Sequence, residues 1–197
     1  MAQIQTCIDK VQVGISTPNQ PPKTGIGTRR QKVALEGRVY LVPWPTRIDP
    51  RMIDPSLQAL FDQLTAGELP WPLYLYGPTG RGKSCAVAAL LNCVADSAYL
   101  RLEGLIAEHL DRTTIWAWYR DAPLVALDEV GCHRVPCEPE YQALKKLADV
   151  REGKPTIWIS NLDPEALRQL YDDRIHSRLC CGTWFKLEGP DRRFQEK

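Results

Sequence analysis

The residues best equipped for chemistry are Gly77-Pro78-Thr79-Gly80-Arg81-Gly82-Lys83-Ser84. Glycine, four residues, glycine, lysine and serine is the spacing of a phosphate-binding loop. A glycine-rich turn lets several backbone N–H groups converge on phosphate oxygens with no Cβ in the way. The positive end of the helix that follows adds to the attraction. In that geometry Lys83 reaches the β- and γ-phosphates of ATP as a point charge, and Ser84 offers its hydroxyl to Mg²⁺. The expected nucleotide-binding run is Gly77, Pro78, Thr79, Gly80, Arg81, Gly82, Lys83, Ser84 and Cys85. A second cluster is Asp128-Glu129, after Pro123-Leu124-Val125-Ala126-Leu127. An apolar run bounded by proline and aspartate reads as a buried parallel strand. A carboxylate pair at its carboxyl end stands where open α/β sheets bind ligands. Asp128 there holds Mg²⁺, directly or through water, and Glu129 polarises an attacking water.

The flanking patterns supply the elements that must position these groups. Leu73-Tyr74-Leu75-Tyr76 reads as a short buried strand leading into the loop, and Ser84 to Leu91 as an Ala- and Leu-rich helix leaving it. Upstream, Gly37 to Val42 reads as a strand. Asp54-Pro55 reads as a helix cap followed by a first-turn proline, and Gly67 as the stop. Downstream, strands are expected over Ser97–Leu102, Pro155–Ser160 and Thr183–Leu187. Helices are expected over Leu102–Leu110, Thr113–Arg120, Glu138–Gly153, from Asp163-Pro164 onward, and over Tyr171–Leu179. Alternating strands and helices predict a three-layer α/β/α sandwich around a parallel five-stranded sheet. Residues 1–35, rich in proline, glycine and basic side chains, read as a flexible amino-terminal arm, either solvated or docking a partner, ahead of an ATPase domain over 36–197.

Composition narrows the setting. The chain has 197 residues, 44% hydrophobic and 25% charged, with a formal net charge of +1. That fits an ordinary globular domain and not a polycation, so contact with nucleic acid must come from a local patch or an assembly. Arg120, Arg134, Lys145, Lys146 and Arg151 are the candidates for such a patch. The seven cysteines include no Cys-x-x-Cys pair, and Cys132 and Cys137 around His133 match no common zinc ligand set. Reduced thiols, no bilayer-length apolar run and no signal-peptide pattern together predict a cytoplasmic protein with no membrane partner.

Four pieces carry a family resemblance: the loop Gly77–Ser84, Leu127-Asp128-Glu129, the strand ending in Ser160-Asn161, and Asp173-Arg174-Ile175-His176-Ser177-Arg178-Leu179. Together they resemble the AAA+ ATPase core of replicative-helicase loaders of the DnaC/DnaI type and of the related IstB-type transposition ATPases, over residues 55–193. The last piece is similar to the family's Arg-x-x-Ser-Arg box. The resemblance implies the P-loop NTPase sheet of AAA+ ASCE type, without a C-terminal helical lid. It implies Asn161 as sensor 1, and Arg178, with Arg174 beside it, as an arginine finger reaching the ATP of a neighbouring subunit. A homo-oligomer with ATP at its interfaces follows. The implied activity is hydrolysis of ATP to ADP and phosphate, in loading or remodelling a replicative helicase on single-stranded DNA. The alternative is an IstB-like ATPase assisting a transposase; a small-molecule kinase and a non-hydrolysing adaptor are further rivals. Helical spacing puts Arg174 and Arg178 on one face, where two cations without an opposing acid call for an anion. Arg81 stands where relatives often carry a small residue.

Overall fold

The structure, a computed structural model, describes residues 28–35, 38–45, 53–92, 94, 96–110 and 115–191. Residues 1–27 of the expected amino-terminal arm lie outside the described residues. Among the described residues the first element is an antiparallel hairpin of β1 (Thr28–Leu35) and β2 (Arg38–Pro45), in which Leu35 pairs with Arg38 and Thr28 with Pro45. The expected boundary between arm and domain therefore falls between two paired strands, and residues 28–35 are strand. The signal was weak because β1 is mostly polar and basic, so its pairing with β2 leaves little hydrophobic pattern to read.

Helix α1 (Pro55–Ala66) starts and stops where local chemistry dictates. Asp54 caps it by accepting from the Ser56 N–H at 2.9 Å, and Gly67 ends it with φ 79°. β3 (Leu73–Tyr76) then enters the loop, and α2 (Lys83–Leu91) leaves it. The order continues β4 (Ala98–Arg101), α3 (Leu102–Leu110), α4 (Ile115–Asp121), β5 (Val125–Val130), α5 (Glu138–Val150), β6 (Thr156–Ser160), α6 (Pro164–Leu170), α7 (Asp173–Leu179) and β7 (Thr183–Lys186).

β3 to β7 form one parallel sheet in the order β4-β5-β6-β3-β7. Strand alternation splits its side chains between two cores. Leu73, Leu75, Tyr99, Ala126, Ile157 and Ile159 face α1 and α2, against Leu57, Phe61, Val87 and Leu90. Tyr74, Leu100, Val125, Leu127 and Trp158 face the other layer, against Leu105, Trp116, Leu144, Leu147 and Ile175. This is the expected three-layer α/β/α sandwich. Its consequence for chemistry lies in the strand order. β6 sits between β3 and β5, so the chain segments leaving those strands emerge side by side at one sheet edge.

The polar interior is equally specific. Arg151 is 2% exposed, and its guanidinium donates to the carbonyls of Tyr119, Arg120, Ala122 and Pro155 and to the Thr156 hydroxyl, at 2.6–3.3 Å. It closes the C-terminal end of α4 and ties it to the entrance of β6. Arg151 is therefore removed from the candidate DNA patch: a buried side chain with its donors spent on carbonyls reaches no phosphate. Of the other candidates, Arg120 pairs with Asp121 at 2.9 Å, and the Lys146 ammonium lies 4.2 Å from the Trp116 ring centre. Among the described residues, no helix is long and apolar enough to cross a membrane.

Candidate nucleotide site

The loop after β3 is held open by backbone shapes that side chains reject. Gly77 has φ 136°, and a Cβ there would lie 2.4 Å from the Leu187 carbonyl oxygen. Gly80 has φ 78°, and a Cβ there would lie 1.9 Å from an Asp191 carboxylate oxygen. Residues 187–191, after β7, thus run beside the loop, and the Leu187 N–H donates to the Tyr76 carbonyl at 2.8 Å.

Lys83 opens α2 and folds back into this loop. Its ammonium donates to the carbonyls of Gly77 (2.6 Å) and Pro78 (2.9 Å) and to Asn161 Oδ1 (2.9 Å). The residue is 6% exposed. Burial lowers its pKa most; Arg81 lowers it further, while Asp128 raises it. Asn161 follows directly on β6 and so meets Lys83 from the neighbouring strand. Two distant stretches of sequence, the lysine of the loop and the expected sensor, are in hydrogen-bond contact.

The carboxylate pair differs in detail from expectation. β5 does not end before Asp128. Leu127 pairs with Trp158 and Val130 with Ser160, so Asp128 and Glu129 together oppose one residue of β6. Glu129 sits in this bulge with φ 67°, a left-handed conformation that non-glycine residues rarely adopt. The Ser160 hydroxyl clamps the bulge: it donates to the Val130 carbonyl at 2.7 Å and accepts from the Leu162 N–H at 3.0 Å. Strained backbone of this kind collects at functional sites. Burial holds the Glu129 carboxyl above its usual range; Asp128 and Glu103 push it the same way, against Arg101 and His133.

Asp128 is 6% exposed, and each of its carboxylate oxygens accepts one hydrogen bond. One oxygen accepts from the Glu129 N–H at 2.8 Å; the other accepts from the Tyr99 hydroxyl. Ser84 directly follows Lys83 at the start of α2, and Asp128 lies near enough to act on the Lys83 charge; a hydroxyl and a carboxylate are the hard oxygen donors that Mg²⁺ prefers. Arg81 adds to the fit. Its Nε and Nη1 atoms are buried and lack a hydrogen-bond partner among the described residues, in the loop where an anion is expected. The structure thus gathers Lys83, Ser84, Asp128, Glu129 and Asn161 at one edge, with Pro78 and Thr79 exposed and Cys85 half-buried at the start of α2.

Arg174 and Arg178 stand apart from that cluster. Arg178 forms an ion pair with Asp149 of α5. The Tyr141 hydroxyl donates to Asp172 at 2.7 Å, near Arg174. The premise that no acid faces these cations is corrected at Arg178, which Asp149 faces. Tyr99 and Ser160 were missed by sequence reasoning, Ser160 being read only as the end of a strand. A polar-tipped residue inside a buried strand was the only local hint of either. A further buried carboxylate, Glu140, accepts from Tyr171 and lies 2.8 Å from His133 Nδ1, fastening the loop after β5 to α5.

No family model matches the sequence, and no curated protein aligns with it. Solved structures do match. AMPPCP-bound DnaA from Aquifex aeolicus superposes with a TM-score of 0.58 at 21% identity, covering 72% of this chain and 50% of that one. Replication initiator DnaA bound to AMPPCP and single-stranded DNA gives 0.58 at 22%, covering 73% and 50%. DnaI gives 0.56 at 24%, covering 72% and 86%. The chain thus spans 50% of the length of these DnaA chains. What it shares with them at these identities is the fold: the parallel α/β sandwich of AAA+ P-loop ATPase domains.

Proposed function

We propose that this chain binds ATP with Mg²⁺ in the loop Gly77–Ser84 and hydrolyses it to ADP and phosphate. The observation that carries this reading is the convergence of Lys83, Ser84, Asp128, Glu129 and Asn161 at the carboxyl edge of β3, β6 and β5. On binding, the Lys83 ammonium exchanges its loop carbonyls for phosphate oxygens. Burial makes that exchange favourable, because a desolvated cation gains more from a phosphate than from neutral acceptors. Ser84 and Asp128 would hold Mg²⁺, which when bound compensates the phosphate charge. Glu129, aimed by its bulge, takes the proton of the attacking water at its carboxylate, and its raised pKa makes it a stronger base than an ordinary glutamate. Asn161 orients that water or the γ-phosphate from the next strand.

We place this engine in DNA replication, as an oligomeric switch that loads or remodels a replicative helicase on single-stranded DNA. The support is the joint likeness to DnaA bound to AMPPCP and single-stranded DNA and to DnaI, together with the Arg174–Arg178 segment. In this reading the ATPase unit keeps the β1–β2 hairpin whole, and the residues before Thr28 are a docking arm. Calorimetry with ATP tests the site. Lys83→Ala abolishes uptake while keeping the fold, and Glu129→Gln retains ATP but releases no phosphate. Uptake of ATP by the Lys83→Ala chain equal to that of the natural chain sinks the proposal.

A further inference from the structure

Tyr99 lies on β4, separated by β5 and β6 from the strand that enters the phosphate loop, and belongs to none of the nucleotide motifs. Its ring is 1% exposed and packs in the core beneath α2. Its hydroxyl nevertheless reaches the site. It donates to Asp128 Oδ2. A phenol has one proton, and here that proton goes to the carboxylate.

We infer that Tyr99 is a positioning residue for the divalent cation: its hydroxyl holds Asp128, the carboxylate that would ligate Mg²⁺, in a fixed orientation before the ion arrives. The inference rests on the reading of Gly77–Ser84 as the nucleotide loop. A buried carboxylate held by a neutral donor keeps its charge and its place. A carboxylate oxygen has lone pairs to spare after accepting one hydrogen bond, so Asp128 keeps capacity for the ion. Outer partners of metal ligands typically govern affinity by 10- to 100-fold.

The test is binding of a fluorescent ATP analogue to the full chain, titrated with Mg²⁺ and repeated with the metal chelated. Tyr99→Phe keeps the ring and removes only the hydroxyl. The expected result is a rise of about tenfold or more in half-saturating Mg²⁺, with metal-free nucleotide affinity unchanged. A purely structural role would shift both arms together. An unchanged or tightened Mg²⁺ requirement overturns the inference while leaving the nucleotide site standing. A natural chain that takes up nucleotide in neither arm overturns both. Should Tyr99→Phe fold poorly, 3-fluorotyrosine placed at position 99 alone gives a second readout. Its ¹⁹F resonance moves when Mg²⁺ is added to the nucleotide-bound chain, and a resonance indifferent to Mg²⁺ overturns the inference.

Discussion

Two arginines show how surroundings divide one residue type between stability and binding. Arg151 has five acceptors, four of them backbone carbonyls. Its removal strands several buried acceptors at once, each costing about 1–3 kcal/mol. Arg151→Ala should therefore lose roughly 3 kcal/mol or more of unfolding free energy in urea denaturation. Loss of less than about 1 kcal/mol would mean that water replaces the guanidinium. Arg81 presents the opposite balance, because its buried Nε and Nη1 satisfy nothing among the described residues. Arg81→Ala should leave the urea midpoint of the nucleotide-free protein unchanged or raise it. In calorimetry the same change should weaken ATP binding about tenfold, the worth of one charge-assisted hydrogen bond. Equal affinities of the two chains for ATP would show that the guanidinium points away from the phosphates.

Elements convert these residues into a site, and the bulge in β5 is the sharpest case. Glu129 could not lie in regular strand geometry and also precede the return of Val130 to the ladder opposite Ser160. The Ser160 hydroxyl serves the carbonyl just after Glu129 and the N–H just after Asn161. Ser160→Ala orphans both buried backbone groups, at about 1–3 kcal/mol of stability. It should slow phosphate release far more than it weakens ATP binding, since it loosens Glu129 and Asn161 but not Lys83. Comparable losses in both would assign Ser160 to general packing. This layer was only partly legible in the sequence. The loop, α1 with its Asp54 cap and Gly67 stop, and β3 were readable because their determinants are consecutive residues. Asp128 and Glu129 were readable as a pair but not as a bulge, because the mismatch exists only relative to β6. Tyr99, Arg151 and the Asp149 partner of Arg178 were not readable at all. Their meaning comes from strands and helices brought together by the sheet order, and no local spacing encodes that.

At the scale of the whole molecule the open question is whether the site is complete within one chain. Everything from Lys83 to Asn161 is supplied in cis, whereas Arg174 and Arg178 project from α7, outside that cluster. Arg178 is engaged with Asp149, but the pair is partly exposed, at 37% and 44% for the two side chains. Such surface pairs are worth about 0.2–1 kcal/mol, so holding Arg178 there is cheap and releasing it is equally cheap. The triphosphate of an adjoining subunit, carrying several charges in a water-poor interface, is the stronger partner for a guanidinium. The ion pair then acts as a resting position that assembly outcompetes. Asp149→Asn should change urea stability by less than about 1 kcal/mol. It should raise phosphate release per subunit at low protein concentration, because Arg178 is released without having to leave an acid. Arg178→Ala should flatten the dependence of specific rate on concentration while ATP affinity stays at the natural value, with a loss of rate on the order of 10³ or more if the guanidinium meets the γ-phosphate. Measurement of the specific rate over a wide span of protein concentration separates the cases. A rate already independent of concentration in the natural chain, or one that survives Arg178→Ala, makes Asp149 the true partner of Arg178 and leaves a monomer that hydrolyses ATP unaided.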